Sequence, residues 1–270
     1  MSGTGLNLGR RVGLVQTGLK DLGAGFLSLL QEMGMMTIFF GQAILSGIIP
    51  PIHPGRIIRQ VHFIGVGSLF VIILTASFTG MVLGLQGYYT LRQFQAEAML
   101  GSAVALSLIR ELGPVLSALM VTGRAGSAMT AEIGIMRITE QIDALDAMAI
   151  DPIRHLIAPK MIAGLIAVPL LASIFNLIGI YGGYLVGVKL LGVRSGSYFS
   201  GMGESVVFKD VYGGVIKSMS FGLILTWISC YKGYFATQGA EGVSRATTES
   251  VVLSSVLILI WDYFLTSILL

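Results

Sequence analysis

AMLGSAVALSLIRELGPVLSALMVTGRAGSAMTAEIGIMRITEQIDALDAMAIDPIRHLIAPK, residues 98–160, sets a membrane-grade apolar segment beside a dense polar block. Between Ala98 and Gly123 the ionisable groups are Arg110 and Glu111, in the middle of the segment. A spanning helix of about 20 residues would hold them near the bilayer midplane. Each mid-membrane charge costs roughly 2.5–3.5 kcal/mol on insertion scales, so such groups turn away from lipid and find partners. Two readings follow: a structural ion pair, or polar groups lining a substrate cavity. Neighbouring helix positions point about 100° apart, so Arg110 and Glu111 cannot clasp each other and each needs a partner elsewhere. Pro114 removes a backbone donor and predicts a bend or locally open backbone there.

Beyond Arg124 the chain turns polar, with Glu132, Arg137, Glu140, Asp143, Asp146, Asp151, Arg154 and Lys160. Within this block Ile138, Ile142, Leu145 and Ala149 recur at helical spacing, which predicts a short amphipathic helix over about 137–150. Asp151-Pro152 is expected to end it. Its acidic face suits a protein partner with a groove better than an anionic lipid surface.

The composition is that of a membrane protein: 54% apolar and 11% charged residues, with a mean hydropathy of +0.83. A net charge of +3 with scattered basic residues excludes an extended nucleic-acid surface. The lone Cys230 permits no internal disulfide and reads as a small buried hydrophobe.

Taken in order, residues 1–60 are expected to form an interfacial amphipathic helix and a proline-rich elbow, and residues 61–270 a membrane-spanning domain. Leu8, Val12, Val15, Leu19, Leu22, Phe26, Leu29 and Met33 alternate at four and three, the stripe of a helix lying in the membrane interface. No removable signal peptide is expected. Pro50, Pro51 and Pro54 make the elbow. Five spans follow over about 63–91, 98–123, 161–188, 211–236 and 250–270. Gly80 and Gly84 allow close helix approach, either within the chain or across a dimer axis, and Gly179, Gly183 and Gly187 form a second small stripe. Residues 189–210 are a polar, Gly- and Ser-rich connection. Lys217 and Lys232 fall near the ends of the fourth span, where long side chains are expected to reach the interface. The fifth span carries Asp262.

Five spans put the termini on opposite sides. With the amino end in the cytoplasm, eleven lysines and arginines lie inside and five outside, which predicts a cytoplasmic amino terminus and a periplasmic carboxyl terminus. No G-x-x-x-x-G-K-[ST] phosphate loop, H-E-x-x-H or G-x-S-x-G pattern occurs. Nothing in these patterns points to an enzyme, no metal and no cofactor is expected in this chain, and any ATP hydrolysis that drives it is expected on another chain. An alternative is an ion- or proton-coupled secondary transporter using Arg110, Glu111 and Asp262 as a relay, a class that shows inverted repeats.

The run LSLIRELGPVLSALMVTGRAGSAMTAEIGIMRITEQIDALDAMAIDP, with GMVLGLQGY (residues 80–88) and GVSRATTESVVLSS (residues 242–255), resembles the MlaE/YrbE permease family, membrane subunits of lipid-transporting ABC systems. The resemblance implies a homodimer in the bacterial inner membrane. It implies a cytoplasmic ABC ATPase (MlaF-like) that binds ATP and Mg, a periplasmic MCE-domain protein (MlaD-like) and a STAS-domain protein (MlaB-like). It implies that phospholipid is moved between the inner membrane and the MCE protein, maintaining outer-membrane asymmetry. On the same grounds Leu83, Leu91, Phe94, Glu111 and Leu112 are expected at the lipid site, where Arg110 either meets a lipid phosphate or pairs within the protein. Arg137, Glu140, Ile142, Asp143, Leu145 and Asp146 are expected on a coupling helix gripped by the ATPase.

Overall fold

The computed structural model describes Leu27 and residues 30–47, 54–237 and 239–269. The elements are α1 (30–47), α2 (Pro54–Arg92), α3 (Glu97–Ile138), α4 (Gln141–Ala147), α5 (Ile153–Leu190), α6 (Ser195–Ser205), α7 (Phe208–Tyr234) and α8 (Ala240–Leu269). No strand occurs among the described residues. Five helices, α2, α3, α5, α7 and α8, are long and apolar enough to cross a membrane. The chain is an all-α, multi-pass membrane protein. Most of the expected amphipathic stripe over Leu8–Met33, and Pro50 and Pro51 of the elbow, lie outside the described residues.

The spanning helices overrun the charge-free windows that announced them. Helix α3 has 42 residues, about 63 Å at 1.5 Å per residue, roughly twice the hydrocarbon thickness. It passes through Arg124 instead of ending at residue 123. The Arg124 guanidinium donates to the Phe63 carbonyl at 2.6 Å and lies 5.0 Å from the Phe63 ring centre. Gly67 leaves it room: a methyl group there would overlap the guanidinium. A charge that seemed to announce water is met inside the bundle. Likewise α5 begins near Pro152, not at residue 161. Asp151 starts that helix rather than ending the one before it: its Oδ1 accepts the Ile153 N–H at 2.9 Å, the role of an N-cap carboxylate.

Two glycine stripes meet and bring α2 against α5. A Cβ on Gly80 would overlap the carbonyl of Gly179, and one on Gly84 would lie 2.9 Å from the carbonyl oxygen of Gly183. The small-residue spacing of α2 therefore serves packing within the chain. Backbones in such contact gain dispersion along the seam without a hydrophobic drive, which lipid does not supply.

The bundle has two ends. At one, α6 occupies the connection that reads as a polar loop. Tyr198 is fully buried, donates to the Ile180 carbonyl at 3.0 Å and packs beside Tyr184 and Phe199. Ser205 Oγ donates to Ser102 Oγ at 3.0 Å, tying α6 to α3. At the other end α1 lays Met36, Phe39 and Ala43 against Ile133, Ile142, Ile157, Met161, Ile228 and Tyr231. Trp227 Nε1 donates to the Met36 carbonyl at 3.1 Å and fixes α1 to α7.

The glycine seam gives a direct prediction. Gly80→Ala lowers stability by about 1–3 kcal/mol through overpacking against the Gly179 carbonyl, read as a lower Tm of the purified chain in detergent. Gly203→Ala, at a position with nothing within 4 Å, leaves Tm unchanged.

Candidate functional site

The residues singled out in α3 sit where that helix departs from regular geometry. Leu108–Leu112 forms a wider, π-type turn, immediately ahead of Gly113-Pro114. Proline has no N–H for the carbonyl four residues back, that of Arg110. The Lys217 ammonium donates to this carbonyl instead, at 3.1 Å.

Helix α7 presents one face to this turn. Asp210, Gly214 and Lys217 follow at i, i+4 and i+7, so they line up along the helix. Gly214 is the contact point: a Cβ there would come within 2.5 Å of the Ile109 carbonyl oxygen. With the backbones this close, the charges on either side of the glycine pair in register. Arg110 Nε donates to Asp210 Oδ1 at 2.8 Å, and Lys217 Nζ donates to Glu111 Oε2 at 2.7 Å. Asp210 also accepts the Val207 N–H at 3.0 Å through Oδ2, so the same carboxylate opens α7.

Helix α8 completes the cluster with Asp262 and Thr266, one turn apart. Lys217 Nζ donates to Thr266 Oγ1 at 2.6 Å and lies 3.3 Å from Asp262 Oδ1. An ammonium has three protons, and here they go to Glu111, Thr266 and the Arg110 carbonyl. Asp262 Oδ1 is attracted by the charge yet is left without a hydrogen bond. The Thr266 hydroxyl lies 3.2 Å from both Glu111 oxygens and 2.8 Å from the Asp262 carbonyl.

Lys217 is 3% exposed, which corrects the expectation that it reaches the interface. It stands nine positions beyond Phe208, about 14 Å along the axis, too far in to escape and well supplied with partners where it is. Arg110, Glu111, Lys209, Asp210, Lys217 and Thr266 line a cavity of about 200 Å³ with Val207, Gly213, Gly214 and Leu269. The Arg110 and Glu111 side chains are 39% and 38% exposed, while Asp210 and Lys217 are at 9% and 3%. The cluster thus has a buried half on α7 and an accessible half on α3.

The family model described as Permease MlaE matches residues 57–268. The intermembrane phospholipid transport system permease protein MlaE of Haemophilus influenzae is 51% identical over 218 residues, covering 80% of this chain and 84% of its own length. The chain belongs to the MlaE permease family. A probable ABC transporter permease protein of Rickettsia bellii is 47% identical over 248 residues, 92% of this chain and 96% of its own. The chloroplastic protein TRIGALACTOSYLDIACYLGLYCEROL 1 of Arabidopsis thaliana is 35% identical over 230 residues, 85% of this chain and 66% of its own.

The other residues expected at the lipid site of this MlaE-family chain fall outside the cavity. Leu83, Leu91 and Leu112 are half-buried against the main core, and Phe94 is 75% exposed at the turn after α2. None of the four lines the cavity around Glu111.

At the opposite end α4 is shorter than the expected 137–150 helix. Ile138 closes α3, Glu140 takes a left-handed conformation at φ 59° and Ala149 another at φ 58°. The apolar stripe is shared between two helices and a turn. Ile142 is fully buried among α1, α3, α5 and α7 residues, and Leu145 is half-buried. Glu140, Asp143 and Asp146 are exposed. Arg137 Nη1 pairs with Asp143 Oδ1 at 2.5 Å and its guanidinium carbon lies 5.9 Å from the Tyr234 ring centre, so these two residues brace α4 against α3 and α7.

The sequence reading missed Asp210, Lys217 and Thr266 at the charge cluster, and it missed Lys160. Lys160 is 1% exposed, donating to Glu132 Oε2 at 2.6 Å and to Gln60 at 3.4 Å. The available signal was the Asp210–Gly214–Lys217 repeat, which puts both charges and the glycine on one helix face.

Removing the buried partner of a half-buried pair destabilises the fold through the carboxylates left uncompensated. Lys217→Met therefore lowers the Tm of the purified chain sharply, because it leaves Glu111 and Asp262 facing each other. Exchanging the pair, Glu111→Lys with Lys217→Glu, recovers part of the loss of the single changes. A double variant as unstable as the sum of its singles would show that the two do not act on each other.

Proposed function

We propose that this chain is the permease subunit of an ATP-driven phospholipid transporter in the bacterial inner membrane. It works as a homodimer, with its amino terminus in the cytoplasm, and moves phospholipid between that membrane and a periplasmic MCE-domain protein, which sustains outer-membrane lipid asymmetry. ATP and Mg are held by a separate cytoplasmic ABC ATPase, with a STAS-domain protein attached to it. The observation that carries the reading is the charge cluster of α3, α7 and α8, with its accessible Arg110 and Glu111, in a chain so similar to a permease named for phospholipid transport.

The chemistry suits a lipid headgroup. Arg110 offers a planar donor fork to a phosphate, already balanced by Asp210 in the absence of lipid. Lys217 has four acceptors around three protons. A small shift of α8 against α3 exchanges Glu111 for Asp262 as its partner without ever leaving the ammonium alone, which gives the cluster two arrangements of similar energy. The apolar wall for the acyl tails is completed by Leu83, Leu91, Phe94 and Leu112, drawn from both copies across the dimer.

At the cytoplasmic end α4 is the coupling helix. Ile142 roots it in the core, Leu145 supports it, Arg137 and Asp143 brace it, and Glu140 and Asp146 face the ATPase. Glu140 holds a left-handed conformation at the junction of α3 and α4, which costs roughly 1 kcal/mol for a residue other than glycine.

The test is gentle-detergent purification of the tagged chain from its native membrane, followed by reconstitution and ATP-dependent transfer of labelled phospholipid. We expect an ATPase and an MCE-domain protein to copurify with lipid. Glu111→Ala should reduce transfer by about tenfold, or 1.4 kcal/mol, with the complex still recovered, since Lys217 keeps Asp262 and Thr266. Recovery of the chain alone, with transfer unaffected by vanadate, would overturn the proposal in favour of an ion-coupled carrier.

A further inference from the structure

Two cavities at the α1 end of the bundle share one wall. The larger, of about 710 Å³, runs between α1, α7 and α8, with Met33, Met36, Val252, Leu253, Val256 and Leu257 in its lining. The other, of about 640 Å³, lies where α7 ends and α8 begins and includes Gln31, Thr237 and Arg245. Glu32, Lys232 and Glu249 line both. Each volume falls in the roughly 300–1,000 Å³ range of small-molecule sites. The larger cavity is apolar beyond the shared wall, and its rims face outward: Met33 is 57% exposed, Val252 58% and Val256 47%. Because α8 is long and apolar enough to span, surface of this composition belongs in lipid and the cavity opens toward the bilayer.

The shared wall is an ion bridge. Lys232 Nζ donates to Glu32 Oε1 at 2.7 Å and to Glu249 Oε2 at 3.1 Å. Arg245 Nε donates to Glu249 Oε1 at 2.9 Å. Both Glu249 oxygens are thereby taken. Two groups of the bridge keep capacity: among the described residues Glu32 Oε2 accepts no hydrogen bond and the terminal nitrogens of Arg245 donate none. Their side chains are 47% and 81% exposed. An open anionic acceptor on α1 and an open cationic donor fork on α8 therefore belong to one cavity, on either side of Lys232. With two carboxylates and two cations, the bridge presents both signs of charge and no net charge.

We infer that these cavities hold one zwitterionic phospholipid bearing a primary ammonium, its ammonium on Glu32, its phosphate on Arg245 and an acyl chain in the groove between α1, α7 and α8. A primary ammonium brings protons to the open carboxylate oxygen, and a phosphate matches the paired donors of a guanidinium. An anionic headgroup without an amine would leave Glu32 facing a second negative charge. A quaternary ammonium has no N–H for the carboxylate. Nor do the neighbouring rings frame a cage for one: Tyr231 and Phe235 pack on each other, with ring centres 4.9 Å apart, and on Phe39. A soluble zwitterion would satisfy both charges yet leave the apolar groove unused. The site stands apart from the transport reading: it needs neither the ATPase nor Lys217, and a lipid held here ties α8 to α1.

The experiment uses the full chain in phosphatidylcholine nanodiscs, doped in turn with phosphatidylethanolamine, phosphatidylcholine and phosphatidylglycerol analogues that carry a photoreactive acyl chain. Label is mapped by mass spectrometry of peptides. We expect the phosphatidylethanolamine analogue to label segments 30–37 and 248–257 about tenfold more than either other analogue, the effect of one charge-assisted hydrogen bond. Glu32→Gln should abolish its advantage over phosphatidylcholine and Glu32→Asp should keep it, with Tm confirming that each variant is folded. Arg245→Gln should lower labelling by both zwitterionic analogues. Excess free phosphoethanolamine should leave the label in place. Equal labelling by all three analogues in the unaltered chain would overturn the inference by assigning the groove to ordinary boundary lipid. Stronger labelling by phosphatidylglycerol, an ethanolamine preference that survives Glu32→Gln, or loss of label to free phosphoethanolamine would each overturn it as well, the last by assigning the cavity to a soluble zwitterion.

Discussion

The ammonium of Lys217 is the constraint on which the membrane-embedded half of the structure turns. A charge with 3% exposure, well inside a spanning helix, is tolerated only where acceptors meet every proton. Those acceptors come from α3 and α8, so three helices are fixed relative to one another by one atom. The proximity has its own cause in the backbone. Gly214 lets α7 reach the Ile109 carbonyl, and Pro114 releases the Arg110 carbonyl to take a proton from outside its helix. Remove either condition and the ammonium loses an acceptor it cannot replace from lipid.

The rest of the bundle is held by a different force. Helices α2 and α5 meet along glycines, where backbone contact leaves little room for adjustment. Helix α8, by contrast, is the least buried of the five spans, and its ties to the others run substantially through polar groups: Asp262 and Thr266 at one end, Glu249 to Lys232 at 3.1 Å at the other, and Ser250 to Thr130 between them. A close-packed seam resists sliding, whereas a polar contact can exchange partners at small cost. The architecture therefore pairs one stiff element with one whose position is set by hydrogen bonds.

Much of this was legible in the residues. Hydropathy gave five spans and the all-α class, because lipid forces backbone groups to be satisfied within a helix and so leaves a simple length signature. The need of Arg110 and Glu111 for partners on other helices followed from the angle between neighbouring positions, and both partners proved to be on α7. What failed was the reading of charge as a marker of water. Arg124, Glu132 and Lys160 looked like the start of a wet block, yet Arg124 caps the Phe63 carbonyl and Lys160 is buried against Glu132. Lys217 reads as an interfacial side chain for the same reason, yet it is 3% exposed. A charge reads as interfacial until its partner is known, and the partners lay 61 residues away for Arg124, 28 for Lys160 and 106 for Lys217. Only the Asp210–Gly214–Lys217 periodicity carried a local trace of them. The extent of α4 was misread because a stripe of apolar residues does not reveal a left-handed break at Glu140.

The pairing also limits how a phosphate can be handled at the centre. Arg110 faces Asp210, and Lys217 faces Glu111 and Asp262, so there is no vacant positive charge waiting for an anion. An incoming headgroup would have to displace a carboxylate already in place, an exchange of one anion for another. Such an exchange costs far less than creating or filling an unpaired site, and it is reversible for the same reason.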